Sequence, residues 1–158
     1  MLPELRRTKQ KLSQEECIRL LTTETRGVLS VQGEDGYPYG MPITHWYEPE
    51  DGCIYFHTGK RGHRCDSLAR CDKVSFCVFD KGQREEGEWA YKVKSVIVFG
   101  RVQRLEDRDT IVDICAKLCR KFTDDESFIQ KEIDAFADAT LLLRLVPEQI
   151  CGKLVTES

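Results

Sequence analysis

Two short glycine-closed turns, Gly33-Glu34-Asp35-Gly36 and Pro49-Glu50-Asp51-Gly52, separate three β-rich segments near the start of this chain. Residues 26–32 lead into the first turn, 37–48 run between the two, and 53–57 follow the second. Connections this short join antiparallel neighbours, because a parallel crossover needs a dozen residues or more. The pattern continues with β-rich runs at 74–79, within 89–105 and at 140–146. Six strands that must hide their edges point to a small closed sheet with helices at its ends. The expected fold class is α+β: a six-stranded antiparallel Greek-key β-barrel with flanking helices.

The helices are marked by their starts. Ser13-Gln14-Glu15-Glu16 has the form of a capping box, and Leu12 and Cys17 flank it as a hydrophobic staple. A short helix is expected over 65–70, and two longer ones over 107–118 and about 124–137, the first of them with Ile111, Ile114, Cys115 and Leu118 on one face. No repeat or linker divides the 158 residues, so one domain is expected, with 1–12 as an N-terminal arm.

Composition narrows the function. Lys and Arg number 24 against 27 Asp and Glu, a net charge of −3, which argues against a chain whose main task is gripping nucleic acid. There is no apolar run of about 18 residues for a membrane span, and the first residues lack the apolar core of a secretory signal. A cytoplasmic protein is expected, and its eight cysteines read as mostly buried thiols. No Cys-x-x-Cys or His-x-x-x-His spacing occurs, so no metal site is expected. Cys65, beside Arg64 at a helix start, is the best placed of the cysteines for a nucleophile, but packing is its expected role.

Against that acidic background, Thr58-Gly59-Lys60-Arg61-Gly62-His63-Arg64 gathers three permanent cations, a histidine and two glycines between a strand and a helix. Glycines let the backbone approach an anion, helix N–H groups point outward, and Lys and Arg add charge-assisted hydrogen bonds, which suits a phosphate. The spacing of a P-loop is absent, and a solvated basic turn is the alternative. A second feature is Gly36-Tyr37-Pro38-Tyr39-Gly40-Met41-Pro42-Ile43-Thr44, followed by His45, Trp46 and Tyr47. Pro42 removes a ladder donor, so it marks an edge, a bulge or a place where something other than a strand approaches, such as a flat heteroaromatic ligand. Residues 80–88 read as a solvated loop or a lid, and Trp46 and Trp89 as packing residues or stacking surfaces.

Taken in order, residues 27–43, 54–64, 74–78 and 95–101, with Arg6-Arg7 near the start, resemble the pyridoxamine-phosphate-oxidase-like FMN-binding split barrels. Within them the chain is most similar to the branch that includes the nitroimidazole-resistance proteins. The resemblance implies a homodimer with FMN in a cleft between subunits. It implies Lys60, His63 and Arg64 on the phosphate, with Arg61 beside them, and the flavin ring along Met41, Pro42, Ile43 and Thr44. His57 and Thr58 would line the passage between ring and phosphate, and Lys94 and Ser95 would reach across from the partner. The reaction implied is reduction of a small acceptor such as a nitroaromatic, with His57 and His63 as the only nearby groups that titrate near neutrality. The carboxyl end lacks a second basic cluster, which disfavours pyridoxamine phosphate as substrate. Two alternatives stay open: a flavin-binding sensor or chaperone without turnover, and a split barrel for haem or a deazaflavin.

Overall fold

The computed structural model describes residues 2–6 and 8–157, so Arg7 lies outside the described residues. Its strands are β1 (Arg26–Gln32), β2 (Pro38–Thr44), β3 (Trp46–Glu48), β4 (Cys53–Gly59), β5 (Lys73–Phe79), β6 (Tyr91–Leu105) and β7 (Thr140–Glu157). Its helices are α1 (Gln14–Thr23), α2 (His63–Arg70), α3 (Arg108–Arg120) and α4 (Glu126–Phe136). The strands form one antiparallel sheet in the order β2-β1-β5-β6-β7-β4-β3.

The two edge strands of this sheet, β2 and β3, are consecutive in sequence and separated only by His45. Laid flat, seven strands would hold their edges roughly 29 Å apart at about 4.8 Å per strand. Thr44 and Trp46 are two residues apart and stand within about 7 Å of each other. The sheet therefore has to roll until its edges meet at His45, which makes the split barrel. This is the expected α+β architecture with seven strands in place of six. The segment 37–48 is two strands because its backbone leaves β1 at His45, whose N–H turns to the carbonyl of Thr25 at 3.4 Å. The break falls at His45 and not at Pro42, which pairs with Val28 on the edge strand, where a missing donor costs least.

Inside the roll, Leu29, Phe56, Phe76, Val78, Val98 and Leu143 are fully buried, with the Phe56 and Phe76 rings edge to face at 4.9 Å. Helix α1 closes one end through Cys17, Leu20 and Leu21. Its capping box is formed: Glu16 N–H donates to Ser13 Oγ at 3.2 Å and Ser13 N–H donates to Glu16 Oε2 at 3.0 Å. Helix α3 lays Ile111, Ile114 and Leu118 on Cys53, Tyr55 and Leu142, and α4 covers α3 with Ile129 and Ile133, joined by Ala137 just past its end. Among the described residues no helix is long and apolar enough to cross a membrane.

The last strand runs to Glu157, well past the expected 146. The strand expected over 140–146 runs on because β6 is long enough to pair with the residues beyond it. The ladder shifts register between Phe99 and Gly100, and Gly100 is required there because a Cβ would drive into the Val146 carbonyl. All eight cysteines are free thiols, but Cys17, Cys53 and Cys65 alone are buried. The other five stand half-buried on helix and sheet faces, fewer fully buried than composition suggested.

The His45 joint is sealed by polar contacts. Its ring is fully buried, meets Phe76 edge-on at 5.0 Å and bonds the Leu21 carbonyl through Nε2 at 2.7 Å, while Nδ1 is buried without a partner. Lys121 Nζ donates to the carbonyls of His45 at 2.5 Å and Glu24 at 3.0 Å. Burial first, and Lys121 second, lower the His45 pKa from 6.5 to about 4. In the unfolded chain the imidazole takes its proton below 6.5, so the unfolded state binds more protons between pH 6.5 and 4. Stability should fall as pH drops through that window, by roughly 3 kcal/mol from this group. Urea unfolding from pH 7 to 4.5 should show a shallower loss in His45→Phe than in the wild type; parallel losses would contradict the assignment.

Candidate functional site

Where β4 ends at Gly59 and α2 begins at His63, the chain exposes Lys60 and Arg61 and reverses through Gly62, whose φ of +124° is a conformation that side-chain-bearing residues rarely adopt. Among the described residues no side chain caps the first turn of α2, so its leading N–H groups lack the usual partner. Arg64 is drawn back over this opening by a 3.0 Å bond from Nη1 to Thr58 Oγ1, and its Nε is buried with no acceptor. A buried, unpaired guanidinium donor beside an uncapped helix start is costly unless an anion completes it. Cys65 is not presented as a nucleophile: it is buried and its Sγ donates to the Gly59 carbonyl at 3.3 Å. Its place is packing.

The interrupted strand comes to the same opening. Tyr39 of β2 sets its ring edge-on to His63, with centroids 4.7 Å apart. As an edge strand, β2 pairs only with β1, and its outer side keeps backbone amides and carbonyls free of the ladder. Alternation turns Met41 into the core, with Ile43 packed against it, while Pro42 stays exposed. The Met41 side chain is buried and that of Ile43 half-buried, so contact from these two positions falls chiefly to main chain. The fold already explains the presence of Pro42; the free edge is what suits a planar ligand with its own donors and acceptors.

Next to this opening lies a cavity of about 490 Å³ that reaches from Thr44, His57 and Thr58 to the inner walls of α3 and α4. Desolvation in this recess, and then the nearby Arg64 charge, hold the His57 pKa below its ordinary value. His57 is thus neutral near pH 7, a hydrogen-bonding group and not a cation.

Of the residues expected at the site, Lys60, Arg61, His63 and Arg64 share one turn, Thr58 is tied to Arg64, and Thr44, His57 and Thr58 share the cavity. Lys94 and Ser95 are not brought to this turn in the same chain. Lys94 Nζ meets Glu16 of α1 at 3.5 Å, and Ser95 lies on the outward face of β6 beside Ile97 and Lys153. The polar loop 80–90 is likewise remote: Asp80 Oδ1 accepts from Gly82 N–H at 2.9 Å and Lys94 N–H at 3.1 Å, holding it beside α1, so it is no lid over its own chain's turn. Sequence reasoning missed the helical wall of the cavity, including Cys119, Phe122, Glu132 and Phe136. The sequence offers no motif for them; the structure leaves the large apolar Phe122 and Phe136 more than half exposed.

A family profile described as pyridoxamine 5'-phosphate oxidase matches residues 13–154, and the chain belongs to that family. Among solved structures it is similar to a candidate 5-nitroimidazole antibiotic resistance protein from Bacteroides thetaiotaomicron, at 18% identity over 93% of this chain and 87% of that one, TM-score 0.78. A conserved hypothetical protein from Mycobacterium tuberculosis matches at 19% identity over 95% and 90%, TM-score 0.78. An FAD-binding protein from Mesorhizobium loti matches at 26% identity over 92% and 97%, TM-score 0.66. No curated protein sequence matches the chain.

The two causes acting on His57 are separable. Arg64→Met should raise its pKa part of the way back towards 6.5, since burial, the larger cause, remains. Histidine Hε1 shifts followed by NMR against pH check this; an unmoved midpoint would mean that Arg64 does not act on His57.

Proposed function

We propose that the chain binds FMN and acts as a flavin-dependent oxidoreductase in a homodimer. The observation that carries the reading is the buried, unpaired Nε of Arg64 at the uncapped start of α2, within a turn that also bears Lys60, Arg61 and His63. A phosphate monoester offers acceptors for that donor, for the helix N–H groups and for the neighbouring cations at once. The free edge of β2 begins beside the same turn, which suits an isoalloxazine ring whose pyrimidine side carries both donors and acceptors.

In this reading FMN, when bound, supplies the two-electron chemistry. Lys60, His63 and Arg64 hold its phosphate, with Arg61 as an outer charge. Backbone groups from Met41 to Thr44 orient the ring, and Thr58 fixes the Arg64 guanidinium by the bond already formed. Neutral His57 offers a hydrogen bond at the cavity mouth without placing a second positive charge near the reacting atoms. The walls of α3 and α4 exclude water from an acceptor in the cavity. The acceptor is small and of nitroaromatic type, such as a 5-nitroimidazole.

A homodimer is supported by the outward face of the sheet. Val28, Cys77, Ile97 and Cys151 are register partners across four strands and form a half-buried apolar row. Phe79 lies on the same face, and exposed Trp89 and Tyr91 lie near that end of the sheet. Ser95 stands on this face and is suited to reach a partner's flavin, whereas Lys94 does so by leaving its exposed pair with Glu16, which is worth little. The eight free thiols support a reducing compartment such as the cytoplasm.

FMN affinity measured by fluorescence titration should fall at least about 100-fold in Lys60→Ala/Arg64→Ala, since each charge-assisted bond is worth roughly 1.5–3 kcal/mol. Cooperative thermal unfolding without FMN checks that the double variant is still folded. Unchanged affinity would overturn the phosphate assignment, and FMN binding without NADH- or NADPH-dependent reduction of a nitroimidazole would overturn the enzymatic one.

A further inference from the structure

The cavity beside the basic turn has an unusual charge inventory. Its lining runs through Cys115, Leu118, Cys119, Phe122, Ile133 and Phe136 on the helical side, and its polar groups are threonines, His57 and a single acid, Glu132. Among the described residues no lysine or arginine lines it. Glu132 is half-buried on the inner face of α4 and forms no ion pair among the described residues, unlike Glu126 at the start of the same helix, which is held by Arg120 at 2.8 Å. Burial pushes the Cys119 thiol pKa up, and Glu132 stands close enough to add to that shift.

We infer that this cavity selects its guest by charge: it takes a planar aromatic molecule that is cationic or neutral and rejects anionic ones, with Glu132 as the selecting side chain. The volume of about 490 Å³ falls within the ordinary range for small-molecule sites. Phe122 and Phe136 are 57% and 58% exposed at its rim, where an aromatic guest would cover them. A carboxylate or phosphate on the guest would face the Glu132 carboxylate with no cation inside the cavity to offset it. That is a like-charge and desolvation penalty of the kind by which sites exclude wrong partners. Two cations act on the lining from outside: Arg64 on His57, and Arg120, already paired with Glu126, on Cys119. The inference rests on the proposed function at this point, because a bound phosphate ester neutralises Arg64 and leaves Glu132 as the formal charge a guest meets.

The geometry also separates two anion preferences that sequence alone leaves side by side. The turn at Lys60–Arg64 favours a phosphate, while the cavity a few residues away disfavours one. A substrate that itself carries a phosphate, as pyridoxamine phosphate does, would have to place that group against Glu132 or leave it in solvent.

The test uses three matched probes, 2-naphthylmethylammonium, 2-naphthylmethanol and 2-naphthoate, titrated by calorimetry into FMN-saturated protein. FMN affinity is measured separately. The expected order is ammonium, then alcohol, then carboxylate, with at least a tenfold span. Glu132→Gln should shrink that span to less than threefold, and Glu132→Lys should invert it. Bound probe should slow alkylation of Cys119, which locates the guest. Equal affinity for the ammonium and carboxylate probes, or a span unchanged in Glu132→Gln, overturns the inference, as does the absence of binding by any probe at millimolar concentration. Failure of FMN to bind overturns the proposed function instead. In that event the probe order is measured in the flavin-free protein carrying Arg64→Met, where the inference predicts the same ranking and an equal affinity for all three probes overturns it.

Discussion

The chain passes from one edge of its sheet to the other across a single residue, His45, and the rest of the architecture follows from that step. Seven strands cannot satisfy it while flat, so they roll, and the roll brings the amino-terminal hairpin beside the end of β4. The joint cannot be solvated, because α1 and the core close over it. Its polar groups are met from inside, by the Leu21 carbonyl on the imidazole and by Lys121 on the freed carbonyls. Lys121 itself pays for this position: burial lowers its pKa to about 8. The cap of α3 is thereby tied to the barrel seam.

The roll makes the candidate site. It sets the unpaired edge of β2 next to a turn that concentrates positive charge in an otherwise acidic protein. The turn is preorganised: Gly62 supplies a backbone conformation closed to other residues, Thr58 fixes the guanidinium, and the first turn of α2 has no side-chain cap. Donors held in place without an acceptor are a standing cost to folding, and binding an anion removes it. The same placement separates charge from the reacting region, since the cavity beyond Thr58 contains a neutral imidazole, threonines, apolar walls and one carboxylate.

Much of this was legible in the sequence because local signals and global fold agree. The capping box at Ser13 forms, the first strand occupies residues 26–32, and the glycine-bearing turns make antiparallel hairpins. The basic turn declared itself by charge density. What was not legible depends on pairing over long distances. The break at His45 looks like the interior of a strand, since β-propensity continues through Trp46 and Tyr47, and only closure of the sheet forces it. The strand signal stops at Val146 before Pro147, and only the length of β6 extends it to Glu157. The resemblance places Met41 and Ile43 along the ring without saying which of their atoms face it; only their register with Leu29 and Gly27 shows that the side chains turn to the core side and leave main chain for a ligand. Glu132 and Phe136 carried no motif, and their relevance comes from α4 packing on α3 near the end of β4.

The central claim is that closure at His45 builds a phosphate clasp beside a free strand edge. A crystal structure of the protein grown with FMN tests it directly. The account predicts the phosphate within hydrogen-bond reach of Arg64 Nε and the first N–H groups of α2, with the ring lying along the backbone of residues 41–44. Flavin bound elsewhere, or a phosphate that leaves Arg64 Nε unpaired, would contradict it.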